Sequence, residues 1–240
     1  MILTSPSIDP VIFSLFFIEI RWYSMAYIAT FIIGPYLIKF FNSKNTIKID
    51  NKLIDDFFIW AIIGIILGGR IGYVLFYQFE NFILSPLYIF YIWNGGMSFH
   101  GGLIGIIVSI YIFTKKNNIN FFLLSDLVSL IAPIGLFLGR IANFINVELI
   151  GRPTDFPIAM IYSSIDSIPR HPSQIYEAFF EGMVLFIILS AIFFKKQPAI
   201  KPGFISGYFM LFYSFFRFSI EFLREPDQHI GLIFNLLTLG

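Results

Sequence analysis

The chain has 240 residues, of which 57% are hydrophobic and 13% charged, with a formal net charge of +1 and a mean hydropathy of +0.80. That charged fraction is about half the ~25% of a soluble domain, and the near-neutral balance offers nothing to nucleic acid. The absence of cysteine excludes disulfides, thiolate metal sites and a cysteine nucleophile of the protein's own.

Several apolar segments approach the ~20 residues that cross a bilayer. They predict an all-α, polytopic integral membrane bundle of about six to seven transmembrane helices, organised as one domain over residues 1–240. No basic residue precedes Arg21, so the N-terminus lacks the charged start of a cleaved signal peptide. Residues 11–20 are apolar apart from Glu19 and too short to span, which places them at the interface. Spans are predicted at residues 22–40, 57–76, 99–113, 126–144, 173–194 and 204–223. Between the second and third, PLYIFYIW (residues 86–93) reads as an interfacial or re-entrant turn. The longest polar connection is residues 145–172, between spans four and five. The apolar tail IGLIFNLLTLG is too short for a full crossing.

All nine lysines fall after spans one, three and five: Lys39, Lys44, Lys48 and Lys52, then Lys115 and Lys116, then Lys195, Lys196 and Lys201. By the positive-inside rule those loops are cytoplasmic, so the N-terminus and the 145–172 loop face out. The seven arginines share no loop with a lysine. Arg21, Arg70, Arg140, Arg152, Arg170, Arg217 and Arg224 lie in spans, at their ends or in outer loops. A guanidinium forks onto carboxylate or phosphate through two parallel hydrogen bonds. Arginine on the outer half therefore reads as recognition of an anion, or more plainly as pairing with the outer-half acids.

Ionisable residues within spans are costly and are usually functional or paired. Four constellations stand out. In GRIANFINVELIGRPTD, Arg140 and Asn143 share a helix face, Asn146 and Glu148 follow, and Gly151 allows a tight turn before Arg152. The plain alternative is a polar helix end capped by side chains. In YSFFRFSIEFLREPD, Tyr213, Arg217 and Glu221 recur every fourth residue, with Arg224 three further on. An internal Arg–Glu pair explains part of that stripe. In RHPSQIYEAFFEG, Gln174, Glu177 and Glu181 face one way behind a Pro172–Ser173 helix start. In GGMSFHGGLIG, His100 opens span three ahead of Gly101, Gly102 and Gly105, which let a backbone or ligand approach. A lone membrane histidine is otherwise a hydrogen-bonded structural group. Gly64, Gly68 and Gly72 form a small-residue ridge for helix packing. Arg21, Trp22 and Tyr23 mark an interface, where an aromatic belt accounts for Trp22 and Tyr23. A bundle that brings these groups together would bind an anion with a large apolar part, hence a phospholipid.

At this point the chain resembles a known family. The stretch GRIANFINVELIGRPTD resembles the signature of the phosphatidylglycerol–prolipoprotein diacylglyceryl transferases, read as G-R-x-x-N-F-x-N-x-E-x-x-G-R. IRWY, HGGLIG, RHPSQIYEAFFEG and RFSIEFLREPD match the same family in order, from Asp9 to Asp227. The resemblance implies a transferase of the bacterial cytoplasmic (inner) membrane whose active site faces the extracytoplasmic side. Such an enzyme moves the diacylglyceryl group of phosphatidylglycerol onto the lipobox cysteine of a prolipoprotein as a thioether, and glycerol phosphate leaves. This is the first step of lipoprotein maturation, and it implies no metal and no soluble cofactor. The partners implied are phosphatidylglycerol, the signal-peptide and lipobox segment, and the bilayer.

By resemblance, Arg140 holds the lipid phosphate, with Asn143, Glu148 and Gly151 shaping its site. Arg217 stabilises the leaving group, and Tyr23, Tyr213 and Glu221 complete the lipid-binding set. His100 is the base for the substrate thiol, with Glu148 or an arginine-polarised thiol as alternatives. The family closes with a further span after REPD. Here 13 residues follow Asp227, so the tail is either a shortened last helix or the end of a truncated sequence. A transporter built on the same anion site would show repeat symmetry and interrupted midplane spans. An intramembrane protease would need a Ser–His or paired-Asp arrangement. Neither pattern is present in the sequence.

Overall fold

The computed structural model describes residues 3–15, 18–196 and 201–225. All six predicted spans are helical: α1 (Trp22–Lys44), α2 (Asn51–Tyr77), a short α3 (Phe79–Leu84), α4 (Phe99–Lys116) and α5 (Phe121–Ile145), then α6 (Ser173–Glu177), a π-helical segment (Ala178–Val184), α7 (Leu185–Lys196) and α8 (Phe204–Glu221). Among the described residues, four helices are long and apolar enough to cross a membrane: Trp22–Lys44, Asn51–Tyr77, Phe121–Ile145 and the composite Ser173–Lys196. The helices outrun their hydrophobic windows because hydrogen bonding continues past the first charge. Lys44, Lys115 and Lys116, and Lys195 and Lys196 occupy last turns, where a cation complements the helix dipole.

The small β elements escaped the apolar-window reading. The described part of the interfacial segment is extended: β2 (Val11–Leu15) pairs antiparallel with β3 (Ile18–Arg21), with a register shift after Val11. Within the 145–172 connection, β4 (Met160–Ile161) pairs antiparallel with β5 (Pro169–Arg170), and β1 (Leu3–Thr4) adds in parallel to β4. Segment 86–93 forms two 3-10 turns, Pro86–Phe90 and Ile92–Asn94. The tail after Glu225 lies outside the described residues.

The chain forms two compact units, one of Met1–Leu37 with Val128–Gly240, the other Ile38–Leu127. In the second unit, buried Asn42 closes the α1–α2 turn by donating to the Ile49 carbonyl at 2.7 Å and accepting from its amide at 2.9 Å. The predicted glycine ridge sets how closely α2 and α4 pack. A Cβ on Gly68 would stand 2.3 Å from the Gly101 carbonyl oxygen, and one on Gly105 would stand 2.0 Å from that of Gly64. The two backbones therefore touch, and Ser109 Oγ donates across to the Trp60 carbonyl at 2.9 Å. Ser98 caps α4 by accepting from the Gly101 amide at 3.2 Å, and its own amide reaches the Gly69 carbonyl at 2.9 Å.

Arg70 departs from the expectation that outer-half arginines recognise anions. It is 2% exposed on α2, and it donates to backbone carbonyls of Tyr88 (2.9 Å), Ile89 (3.2 Å) and Gly95 (2.5 Å). The rings of Tyr73 and Tyr88 lie against its guanidinium, at 5.7 and 5.1 Å. Five rigid donors let one arginine wind a whole turn around itself, which a lysine cannot do. Gly95 and Gly96, at φ +71° and +81°, supply the left-handed backbone this requires.

The ridge yields a graded test. Gly105→Val should cost about 1–3 kcal/mol or more through forced separation of α2 and α4. Gly102→Ala, whose Cβ meets only Ile65 at 3.8 Å, should stay within roughly 0.5 kcal/mol of wild type. Thermal unfolding in detergent would rank the two.

Candidate functional site

The signature stretch begins on the last turn of α5 and leaves it through a strained corner. Val147 and Leu149 sit at φ +56° and +55°. A β-branched residue there costs on the order of 1–3 kcal/mol and persists only where its surroundings over-determine it. Those surroundings are explicit. The Glu148 amide donates to the Asn143 carbonyl at 2.9 Å, Gln174 Nε2 donates to the Glu148 carbonyl at 2.6 Å, and Ser173 Oγ donates to the Leu149 carbonyl at 2.7 Å. Tyr162 in turn donates to Gln174 Oε1 at 3.0 Å, fixing which way that carboxamide points. The corner presents the exposed Glu148 carboxylate, with Asn143 Nδ2 on one oxygen at 3.0 Å and Asn146 Nδ2 on the other at 3.3 Å.

Gly151 has a packing reason for its identity. Its amide donates to the His171 carbonyl at 3.1 Å, and a Cβ would stand 2.3 Å from that oxygen. The same strand-like stretch ties down the end of α8: Gly151 bridges Arg224, Arg152 donates from its amide to Leu223 at 2.9 Å and from Nε to the Arg224 carbonyl at 2.7 Å. Arg170 braces the connection through Asp166 at 2.6 Å and through Glu225. The hydrogen-bonding Arg170 guanidinium holds the Asp166 carboxyl below the usual carboxylate range. Burial lowers the His171 imidazole below its ordinary value.

Beneath this corner lies a closed set of charges. Gly182 in the π segment lets α5 come so near that a Cβ would meet Phe137 Cβ at 2.6 Å. Arg140, one turn further along α5, thereby reaches Glu177 at 3.3 Å through Nε and Glu181 at 3.4 Å through Nη2. Arg217 on α8 reaches Glu177 at 3.5 Å and Glu221, four residues on, at 2.6 Å. Arg224 approaches Glu177 at 3.9 Å. Glu177 and Glu181 have no exposed side-chain surface, whereas Arg140 and Arg217 retain 15% and 14%. The carboxylates are sealed in, whereas these two arginine side chains keep some exposed surface. Tyr213, stacked on Phe209 at 5.7 Å, stands within electrostatic reach of Glu181, Arg140 and Arg217.

The structure thus brings Arg140, Arg217, Glu221 and Tyr213 together, with Asn143 and Glu148 along the same helix end. Tyr23 belongs to the same unit and packs edge-to-face on Tyr27 at 5.2 Å. His100 belongs to the other unit, exposed on the first turn of α4 with its ring against Phe99. The sequence-based set omitted Glu177, Glu181 and Arg224. The spacing of Gln174, Glu177 and Glu181 had put those carboxylates on one face, and burial of charge inside an apolar span is the signal that should have promoted them. Sequence could not supply the π turn, which widens the helix where Glu181 lies; such turns are frequent at functional sites.

Removing the shared acceptor is the sharpest probe of this set. Glu177→Ala should cost about 3–5 kcal/mol, because it strands buried guanidiniums. Glu19→Ala, which removes the partner of Arg21 in an exposed pair, should change stability by roughly 0–1 kcal/mol. Paired melts in the same detergent measure both.

The comparisons with known proteins agree with one another. The family model described as prolipoprotein diacylglyceryl transferase matches residues 10–240. A Rickettsia felis protein is 47% identical over 238 residues, covering 99% of this chain and 92% of its own length. A Rickettsia bellii protein is 48% identical over 238 residues (99% and 90%), and one from Rickettsia typhi 48% over 235 residues (98% and 91%). Each of these relatives bears the name phosphatidylglycerol–prolipoprotein diacylglyceryl transferase. With a match of this length across the signature corner and the charged set beneath it, the chain belongs to the prolipoprotein diacylglyceryl transferase family.

Proposed function

We propose that this chain transfers the diacylglyceryl group of phosphatidylglycerol to the lipobox cysteine thiol of prolipoproteins. The observation that carries the reading is the pair Arg140 and Arg217, both anchored by the sealed Glu177 carboxylate while each keeps some exposed side-chain surface. Two guanidiniums held in this way are preorganised donors for a phosphodiester, and they need no reorganisation as its charge concentrates. The thiolate sulfur attacks the terminal glyceryl carbon. The carbon–oxygen bond to phosphate breaks, its electron pair stays on the phosphate oxygen, and glycerol phosphate departs.

The thiol proton needs a local acceptor, because a free thiol of pKa ~8.5 is only partly ionised at neutral pH. His100 fills that role, with exposed Glu148 as the alternative. Asn143 and Asn146 hold the Glu148 carboxylate in place, which suits either a base or a binding group. Tyr23, Tyr213 and Glu221 line the lipid side, and Gly151 keeps the corner closed. The chain works as one transferase domain, with residues 145–172 as its outer loop. The lysine distribution supports an N-terminus and active site on the extracytoplasmic face of the bacterial inner membrane.

The test uses purified protein in phosphatidylglycerol vesicles with a lipobox peptide, read by mass spectrometry. The expected product is one diacylglyceryl unit on the cysteine, with glycerol phosphate released and nothing formed on the Cys→Ser peptide. Arg140→Lys should lose at least about 100-fold in rate, because a point charge cannot replace the fork. Full activity in that variant would overturn the two-point phosphate contact.

A further inference from the structure

The charged set beneath the corner is balanced on its own: Arg140, Arg217 and Arg224 face Glu177, Glu181 and Glu221. A phosphodiester that joins Arg140 and Arg217 brings one more negative charge into a place where two of the carboxylates have no exposed surface. An uncompensated charge in such a place is expensive, and a titratable group answers that expense by changing its protonation.

The three carboxylates are not held equally. Glu177 lies within ion-pair distance of three guanidiniums, the nearest at 3.3 Å. Glu221 lies 2.6 Å from Arg217. Glu181 has a single guanidinium contact, at 3.4 Å, and its Oε1 is buried without a hydrogen-bond partner among the described residues. The groups that face it are Arg140 from α5, Glu177 from α6, and Arg217 and Tyr213 from α8. Beyond the π segment, α7 carries no ionisable side chain before Lys195. Glu181 is thus the least compensated anion of the set, and the phosphate competes for the one guanidinium that it uses.

We propose that Glu181 takes up one proton as the lipid phosphate binds, keeping the site electrically balanced and turning a repelling carboxylate into a hydrogen-bond donor. Glu181 is in this sense a positioning residue for the anion. The proton comes from solvent, no bond to the lipid is made or broken, and the carboxyl O–H becomes available to a phosphate oxygen or to Tyr213. The inference rests on the reading of Arg140 and Arg217 as the phosphate site.

The experiment measures binding of short-chain phosphatidylglycerol to the detergent-solubilised protein by calorimetry, in buffers of different ionisation enthalpy and across a pH series. Wild type should take up close to one proton per lipid bound. Its affinity should fall about tenfold per pH unit wherever free Glu181 is ionised. Glu181→Gln, neutral at every pH, should bind with no Glu181-linked proton and a flat profile, at least as tightly as wild type at the alkaline end. Wild-type binding without proton uptake overturns the proposal and leaves the phosphate site standing. Undiminished uptake in Glu181→Gln overturns it too, because another group then carries the proton. If wild type fails to bind the lipid at all, the phosphate-site reading falls and this proposal falls with it. The wild-type proton count needs no variant, so a Glu181→Gln protein that fails to fold does not remove the test.

Discussion

Glu177 is the interaction on which the first unit depends. A carboxylate without exposed surface, placed on a helix inside an apolar span, must be satisfied by neighbours, because neither water nor lipid will do it. Its neighbours come from α5, from α8 and from the stretch just beyond α8. One side chain thereby dictates where three segments of the chain meet. The same demand explains the close α5–π approach at Gly182: a bulkier residue would hold Arg140 away from its partner. Stability and the proposed function share these side chains, because two of the three arginines that satisfy Glu177, Arg140 and Arg217, keep some exposed surface.

The second unit is organised by a different rule. Between α2 and α4 the closest contacts are not ionic, and the driving force is van der Waals contact between backbones bared by Gly64, Gly68, Gly101 and Gly105. Polar contacts there, such as Ser109 to the Trp60 carbonyl, follow from that closeness rather than cause it. Apolar side chains facing lipid gain little by packing against each other, so a helix pair within a membrane needs either small residues or buried polarity. One unit exemplifies each solution.

Much of this is legible in the sequence. The spans could be counted because apolar runs in this chain are long and bounded by lysine, and lysine also closes several of the helices. The glycine ridge could be read from spacing alone, since small residues every fourth position have few other uses. The arginines were harder. Charge in a span says that a partner exists, but the partner is chosen by tertiary packing. Arg140 and Arg217 met acids, Arg70 met carbonyls, and Arg152 met the backbone of Leu223 and Arg224. The paired strands Val11–Leu15 and Ile18–Arg21 and the strands inside the 145–172 connection were invisible to a window built to find spans. The left-handed Val147 was likewise hidden, because nothing in its own side chain asks for that conformation.

The carbonyl cage around Arg70 has a consequence for biosynthesis. A guanidinium cannot shed its charge by deprotonation. Its acceptors are backbone atoms of residues 88–96, which emerge from the ribosome 18 to 26 residues after Arg70 itself. A nascent chain that ends before Tyr88 carries a cation on α2 with no cage to receive it. Settlement of α2 is therefore tied to synthesis of the segment that follows. The aromatic turn behaves less as a connector than as the second half of the helix it wraps, and the two form one unit of assembly.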